Sequence, residues 1–159
     1  MDRRSDGGAS RKSSRAPRHY VTMPVGAPPE AGSATVSKSM RSNRPSGTKP
    51  EQVLSRLLRK RIRTNDLPGQ PDFVYPEARL AVFVNGCWWH GCPIHYSPPK
   101  THAAFWKRKL ERNLERDRFN RLELKSMGWR VHEVWEHEVK EDPGAVVRQI
   151  RLLALTSAR

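Results

Sequence analysis

Apolar and polar side chains alternate in a regular way only beyond residue 47. Thr48-Lys49-Pro50-Glu51 has the form of a capping box, with Thr48 as N-cap and Glu51 at N3. Val53, Leu54, Leu57 and Leu58 follow at helical spacing, which predicts a helix to about Arg61. Leu67-Pro68-Gly69-Gln70-Pro71 reads as a turn, and Asp72 to Tyr75 as a short strand. Pro76-Glu77-Ala78 connects it to a more apolar strand from Arg79 to Asn85, giving a hairpin. Residues 86–101 have no period and read as a loop. A long helix is predicted from Ala103 to Met127, its pattern carried by Phe105, Trp106, Leu110, Leu114, Leu122 and Leu124 and stopped by Gly128. Trp129 to Trp135 alternates as a third strand. Asp142-Pro143 opens a last helix with Val146, Val147, Ile150, Leu153 and Ala154 inward. A strand, a crossover helix and another strand make this an α/β chain with a mixed sheet flanked by helices.

Composition divides the chain at the same place. Residues 1–35 are rich in Arg, Ser, Gly, Pro and Ala, with too little apolar surface to offset chain entropy. They are expected to be a disordered basic tail, and residues 36–159 the folded domain. Net charge is +14 over 159 residues, and residues 48–159 alone carry +8. A basic folded part points to a polyanion partner, nucleic acid before a membrane surface. No apolar run is long enough to span a bilayer, and no apolar core follows the early arginines, which argues against a secretory signal. Two cysteines five positions apart do not make a disulfide framework. The expectation is a cytoplasmic protein whose thiols are free to bind metal.

The chemistry is densest in Val82 to His95, which holds both cysteines, two histidines and two tryptophans. Cys87, Cys92 and His95, joined by His137 after the third strand, supply the four N/S ligands that suit a closed, tetrahedral zinc site. The plainer alternative is two buried thiols and solvent-facing histidines. Asp72, at a strand start, is either a turn residue or the metal-holding aspartate of a nuclease, although Val84-Asn85-Gly86 stands where nucleases commonly carry Glu-x-Lys. His90 is free to move protons near neutral pH, or is a further zinc ligand or surface histidine. Glu51 reads as a capping carboxylate, and Asp117 as part of a solvated charged helix face. Trp88, Trp89 and Trp106 are either core or wedges that unstack bases. Lys107-Arg108-Lys109 reads as a wet helix face that could also neutralise phosphates.

In this order the motifs resemble the very short patch repair endonucleases, the DNA mismatch endonuclease family. The segments are Ser37 to Arg41, Thr48 to Glu51, Leu67 to Asp72, Phe83 to Pro93, Phe105-Trp106, Asn113 to Asp117, Gly128 to Val131 and Trp135 to His137. The resemblance implies a restriction-endonuclease-like α/β fold with structural zinc. It implies an Mg²⁺-dependent enzyme that nicks the thymine-containing strand 5′ of the T in T:G mismatches, which arise when 5-methylcytosine deaminates. By matching position it assigns Asp72 to Mg²⁺, with the backbone carbonyl of Val84 as a second ligand. His90 becomes the base, Glu51 and Asp117 further active-site carboxylates, and Cys87, Cys92, His95 and His137 the zinc ligands. Trp88, Trp89 and Trp106 match the wedge, and Met40 the N-terminal segment that reaches DNA. Mismatched double-stranded DNA is the implied substrate. Candidate partners are mismatch-repair proteins or a DNA cytosine methyltransferase. A single-strand nick needs one site, so a monomer is expected. Glu51 and Asp72 stand closer together in this chain than is usual in the family, and Asn85 replaces a more usual histidine or aspartate. Two other readings remain: a zinc-stabilised DNA-binding module without catalysis, and a same-fold nuclease with another DNA target.

Overall fold

A computed structural model describes residues 47–60 and 66–156. The tail expected over 1–35, and Met40, lie outside the described residues. In chain order the elements are α1 (Lys49–Leu58), β1 (Phe73–Tyr75), β2 (Leu80–Asn85), α2 (Ala103–Ser126), β3 (Arg130–Trp135), α3 (Glu136–Glu141) and α4 (Pro143–Leu155). The three strands form one mixed sheet in the order β1-β2-β3. β1 and β2 are the expected antiparallel hairpin, with Phe73 opposite Val82. β2 and β3 run parallel, from Leu80 opposite Arg130 to Asn85 opposite Trp135. The 24-residue α2 provides the crossover between them that a parallel pair requires.

One face of the sheet carries the core. Phe73, Leu80, Val82 and Val134 pack with Leu54 of α1, Val139 of α3, and Val146, Val147 and Ile150 of α4. Asp142 caps α4 by accepting from the Ala145 amide at 2.8 Å, and Pro143 fits the first turn because it needs no N–H there. Arg130 closes the other end of α4. Its guanidinium donates to the carbonyls of Leu153 (2.6 Å), Thr156 and Ala78 (3.1 Å), fastening the helix C-terminus to the sheet.

The opposite face is less covered and carries the polar chemistry. Successive strand residues alternate sides, so Phe83 and Asn85 of β2 and Glu133 of β3 point away from the core. α2 crosses this side, and Leu124 is its one fully buried residue. Leu114 and Leu122, expected inward, are exposed. In the N-terminal half of α2, Trp106 packs on Trp88 and Asn113 donates to the Trp89 carbonyl.

Two further expectations change. In α1, Val53 and Leu57 are exposed, and the buried face is Pro50, Glu51 and Leu54. The helix ends at Leu58, where Arg59 turns left-handed at φ 53°. Thr48 is the N-cap but makes no side-chain cap bond; its hydroxyl donates to Glu51 Oε1 at 2.9 Å. The six-residue α3 follows β3 directly and has no counterpart in the expected order. Glu138 nucleates it by accepting from the Trp135 amide at 2.6 Å.

His132 on β3 is half-buried, and its Nε2 finds no hydrogen-bond partner among the described residues. Burial lowers its pKa below the ordinary 6.5, with Glu138 and Glu133 opposing only in part. The neutral ring is favoured in the fold, so the unfolded chain takes up this proton first as pH falls. The contribution of His132 to stability is therefore constant above about pH 6.5 and declines below it. Urea unfolding at pH 7.5 and 5.5 should show a smaller loss for His132→Leu than for the native chain. Equal losses would remove His132 as a source.

Candidate active site and metal cluster

Local geometry places Asp72 first. Pro71 and Asp72 are both buried as the chain leaves the Leu67–Gln70 turn, in which the Gln70 amide donates to the Leu67 carbonyl at 2.9 Å. Gly69 makes that turn possible. Its φ is +74°, and a Cβ there would lie 2.9 Å from the Asn120 side chain. Asp72 is 3% exposed, and its Oδ2 accepts from the Val84 amide at 2.7 Å. The aspartate is thus locked to the strand whose carbonyl the resemblance assigns to the same metal.

Glu51 is also buried. Its carboxylate accepts from the Gly47 amide at 2.7 Å and the Thr48 hydroxyl at 2.9 Å. The short approach between Glu51 and Asp72 still brings both to one cleft. That cleft has a volume of about 630 Å³, and Asp72, Glu51, Val84, His90 and Asp117 are all among its lining residues.

His90 and Asp117 form the tightest polar contact there. Nδ1 of His90 lies 2.6 Å from Oδ2 of Asp117, joining the loop after β2 to α2. Burial pushes the Asp117 carboxyl up, but the hydrogen bond and charge of His90 and the charge of Arg116 outweigh it. The carboxyl is left below its ordinary value and ionised at neutral pH. Arg116 donates to the other oxygen, Oδ1, at 3.1 Å. Asp117 is therefore not one more charge on a solvated face: both its oxygens are committed.

Cys87, Cys92, His95 and His137 converge at the far side of the same loop. Their ligand atoms all lie within 4.8 Å of one another. Sγ of Cys87 is 3.2 Å from Nδ1 of His137, and Sγ of Cys92 is 3.7 Å from that atom and 3.8 Å from Nδ1 of His95. Ligands at the bond lengths usual for zinc stand about 3.3–3.8 Å apart in a tetrahedron, so the four groups fit a metal of that size. Burial raises the Cys87 thiol. At Cys92 burial acts the same way, but the amides of Ile94 and His95 outweigh it and favour the thiolate.

The tryptophans gather next to the cleft. Trp88 meets Trp89 at 4.6 Å and Trp106 at 4.9 Å between ring centroids, in edge-on arrangements. None of the three is fully buried. Lys109 Nζ sits 5.2 Å from the Trp89 ring and 5.3 Å from that of Trp106. Asn113 donates to the Trp89 carbonyl at 3.0 Å and ties the loop to α2.

Lys109, Asn113, Arg116 and Asn120 line the cleft at helical spacing along α2, and of these Asn120 was not singled out by sequence. Their polar stripe was the available signal, and it resembled a solvated face. Asn85 donates to Glu133 Oε1 at 3.1 Å, the oxygen that also accepts from Arg121 at 2.8 Å.

Comparison with known proteins identifies relatives of this chain. The family model described as DNA mismatch endonuclease Vsr matches residues 31–95. The type II nicking enzyme V.NaeI of Lentzea aerocolonigenes is 41% identical over 148 residues, 87% of this chain and 89% of that protein. The type II nicking enzyme V.XorIIP of Xanthomonas oryzae pv. oryzae is 40% identical over 119 residues, 70% of this chain and 86% of its own length. The DNA mismatch endonuclease Vsr of Escherichia coli K12 is 40% identical over 109 residues, covering 65% and 70%.

The clustered ligands lead to a direct measurement. Native protein should carry one tightly held metal ion per chain, and Cys92→Ala should lose it and melt at a lower temperature. Full metal content in Cys92→Ala would exclude Cys92 as a ligand.

Proposed function

The chain belongs to the Vsr family of DNA mismatch endonucleases, and from that premise we propose that it nicks the thymine-containing strand of a T:G mismatch just 5′ of the thymine. One observation carries the reading. A buried aspartate fixed by a strand amide and a histidine fixed by a second aspartate line the same cleft, beside three clustered tryptophans.

Asp72 and the carbonyl of Val84 would hold a magnesium ion, a hard cation that takes oxygen ligands. The donor set fits, because a carboxylate so deeply buried on a cleft wall favours a cation beside it. Glu51 stands behind them, its carboxylate engaged by Gly47 and Thr48. When bound, the ion stabilises charge on the phosphate and on the departing 3′ oxygen.

His90 takes the proton of the attacking water. With Nδ1–H donating to Asp117, the neutral ring carries its lone pair on Nε2; this tautomer is assigned from the hydrogen bond. Asp117 holds that tautomer and stabilises the imidazolium formed when His90 is protonated. Water forms the new bond to phosphorus as the P–O3′ bond breaks, and the departing O3′ takes a proton from solvent. The products are a 5′-phosphate and a 3′-hydroxyl.

The Cys/His group is proposed to hold structural zinc in a restriction-endonuclease-like domain. Two sulfurs and two imidazoles would fill a four-ligand zinc site and so suit a structural rather than a catalytic ion. Zinc would pin the loop that carries both His90 and the wedge. Trp88, Trp89 and Trp106 would enter the base stack beside the mismatch, and Met40 would approach DNA from the N-terminal segment.

Mg²⁺-dependent cleavage of duplexes differing only in T:G or C:G should occur on the mismatched one. Asp72→Ala should abolish nicking and leave DNA affinity within about twofold, since it removes a metal ligand and no proposed DNA contact. Asp117→Asn should slow nicking by about 10²–10⁴-fold, the cost of a misplaced tautomer and a less stable imidazolium. Equal cutting of the two duplexes would overturn the mismatch reading.

A further inference from the structure

Asn85, Arg121 and Glu133 line the cleft and have no part in this mechanism. They come from β2, α2 and β3 and meet at one oxygen, Oε1 of Glu133. A carboxylate in a cleft that receives a polyanion repels its substrate unless its charge is matched. Glu133 is matched by Arg121, whose Nη1 lies 2.8 Å away. The pair is about one-third exposed on each side, too wet to add much stability. Its geometric effect is larger. The bond uses Nη1 and leaves the other edges of a five-donor fork directed elsewhere.

We propose that Arg121, aimed by Glu133, is a phosphate ligand of the bound duplex at the end of the cleft remote from the tryptophans. This rests on the cleft being the DNA site. Of the cationic residues lining it, Lys109 is engaged with the tryptophan rings and Arg116 with Asp117. Arg121 is the third, and its partner Glu133 is itself held by the buried Asn85. An arginine so held loses less freedom on meeting a phosphate than a free one would. Lys109 and Arg121 are twelve residues apart on α2, a rise of about 18 Å. One strand of a duplex lying along the helix covers that span in about five steps of 3.4 Å. Arg121 therefore contacts a phosphate about five steps from the wedge.

The test is salt-dependent binding of the full chain to 24-base-pair T:G and C:G duplexes, with Arg121→Gln and Arg121→Lys. Arg121→Gln should weaken binding roughly three- to tenfold and make the slope of log K against log salt shallower by about one unit. Arg121→Lys should restore most of the slope. Replacing single phosphates by neutral methylphosphonates should reveal one position, about five steps from the mismatch, that matters to the native chain and not to Arg121→Gln. A purely structural role predicts a lower melting temperature with an unchanged slope, and that result overturns the proposal. So does a methylphosphonate pattern identical in the two proteins. Binding without T:G preference but with the slope change would overturn the mismatch reading and leave the Arg121 contact standing.

Discussion

The parallel register of β2 on β3 is the constraint from which the rest of the site follows. Asn85 and Trp135 are opposite each other at the ends of their strands. Two residues beyond each end stand Cys87 and His137, and they meet at 3.2 Å. The register thus brings together two ligands that are fifty positions apart in sequence. A slip by one residue would turn every side chain of a strand to the other face. It would move core valines to the cleft and separate Cys87 from His137 in the same step. Packing of Val82 and Val134 under α1, α3 and α4 guards against that slip. Hydrophobic burial on one face therefore fixes polar chemistry on the other.

From this pairing the loop of residues 86–101 receives its shape. Ile94 is largely exposed and few of the loop's side chains are buried, so packing alone holds it poorly. The Cys/His cluster holds one side, and His90–Asp117 and Asn113–Trp89 hold the other. Between those two attachments lie the histidine and both adjacent tryptophans. Their positions follow from polar and ligand contacts.

Much of this was legible in sequence where local rules dominate. The hairpin, the third strand and the last helix follow from alternation and from the Asp142-Pro143 cap. Asp72, His90, Glu51 and Asp117 share one cleft, and Cys87, Cys92, His95 and His137 share one cluster. What failed were features set by distant neighbours. Val53 and Leu57 have helical spacing, yet α1 presents its Pro50–Glu51–Leu54 face to the core. Burial of Glu51 is tolerated because Gly47 and Thr48 satisfy it locally, which a capping pattern does not distinguish from an exposed cap. The charged α3 is too short to show a period. Asn85 and Arg121 meet only through Glu133, a partner the sequence places far from the first and on another element from the second.

The long crossover helix has an uneven attachment. Its C-terminal end is anchored by Leu124, and the Trp129 amide returns to the carbonyl of that residue at 2.9 Å. Toward its N-terminus it is held to the loop by Trp106 against Trp88, and along its middle to the loop and sheet by the bonds of Asn113, Asp117 and Arg121. Such bonds exchange with water at a net cost of about 1 kcal/mol each, far below that of emptying a core position. Opening free energies should therefore grade along a single helix, from small near Phe105 to nearly global at Leu124. The outer turns should open most readily, and the His90–Asp117 contact lies between them and the Leu124 anchor.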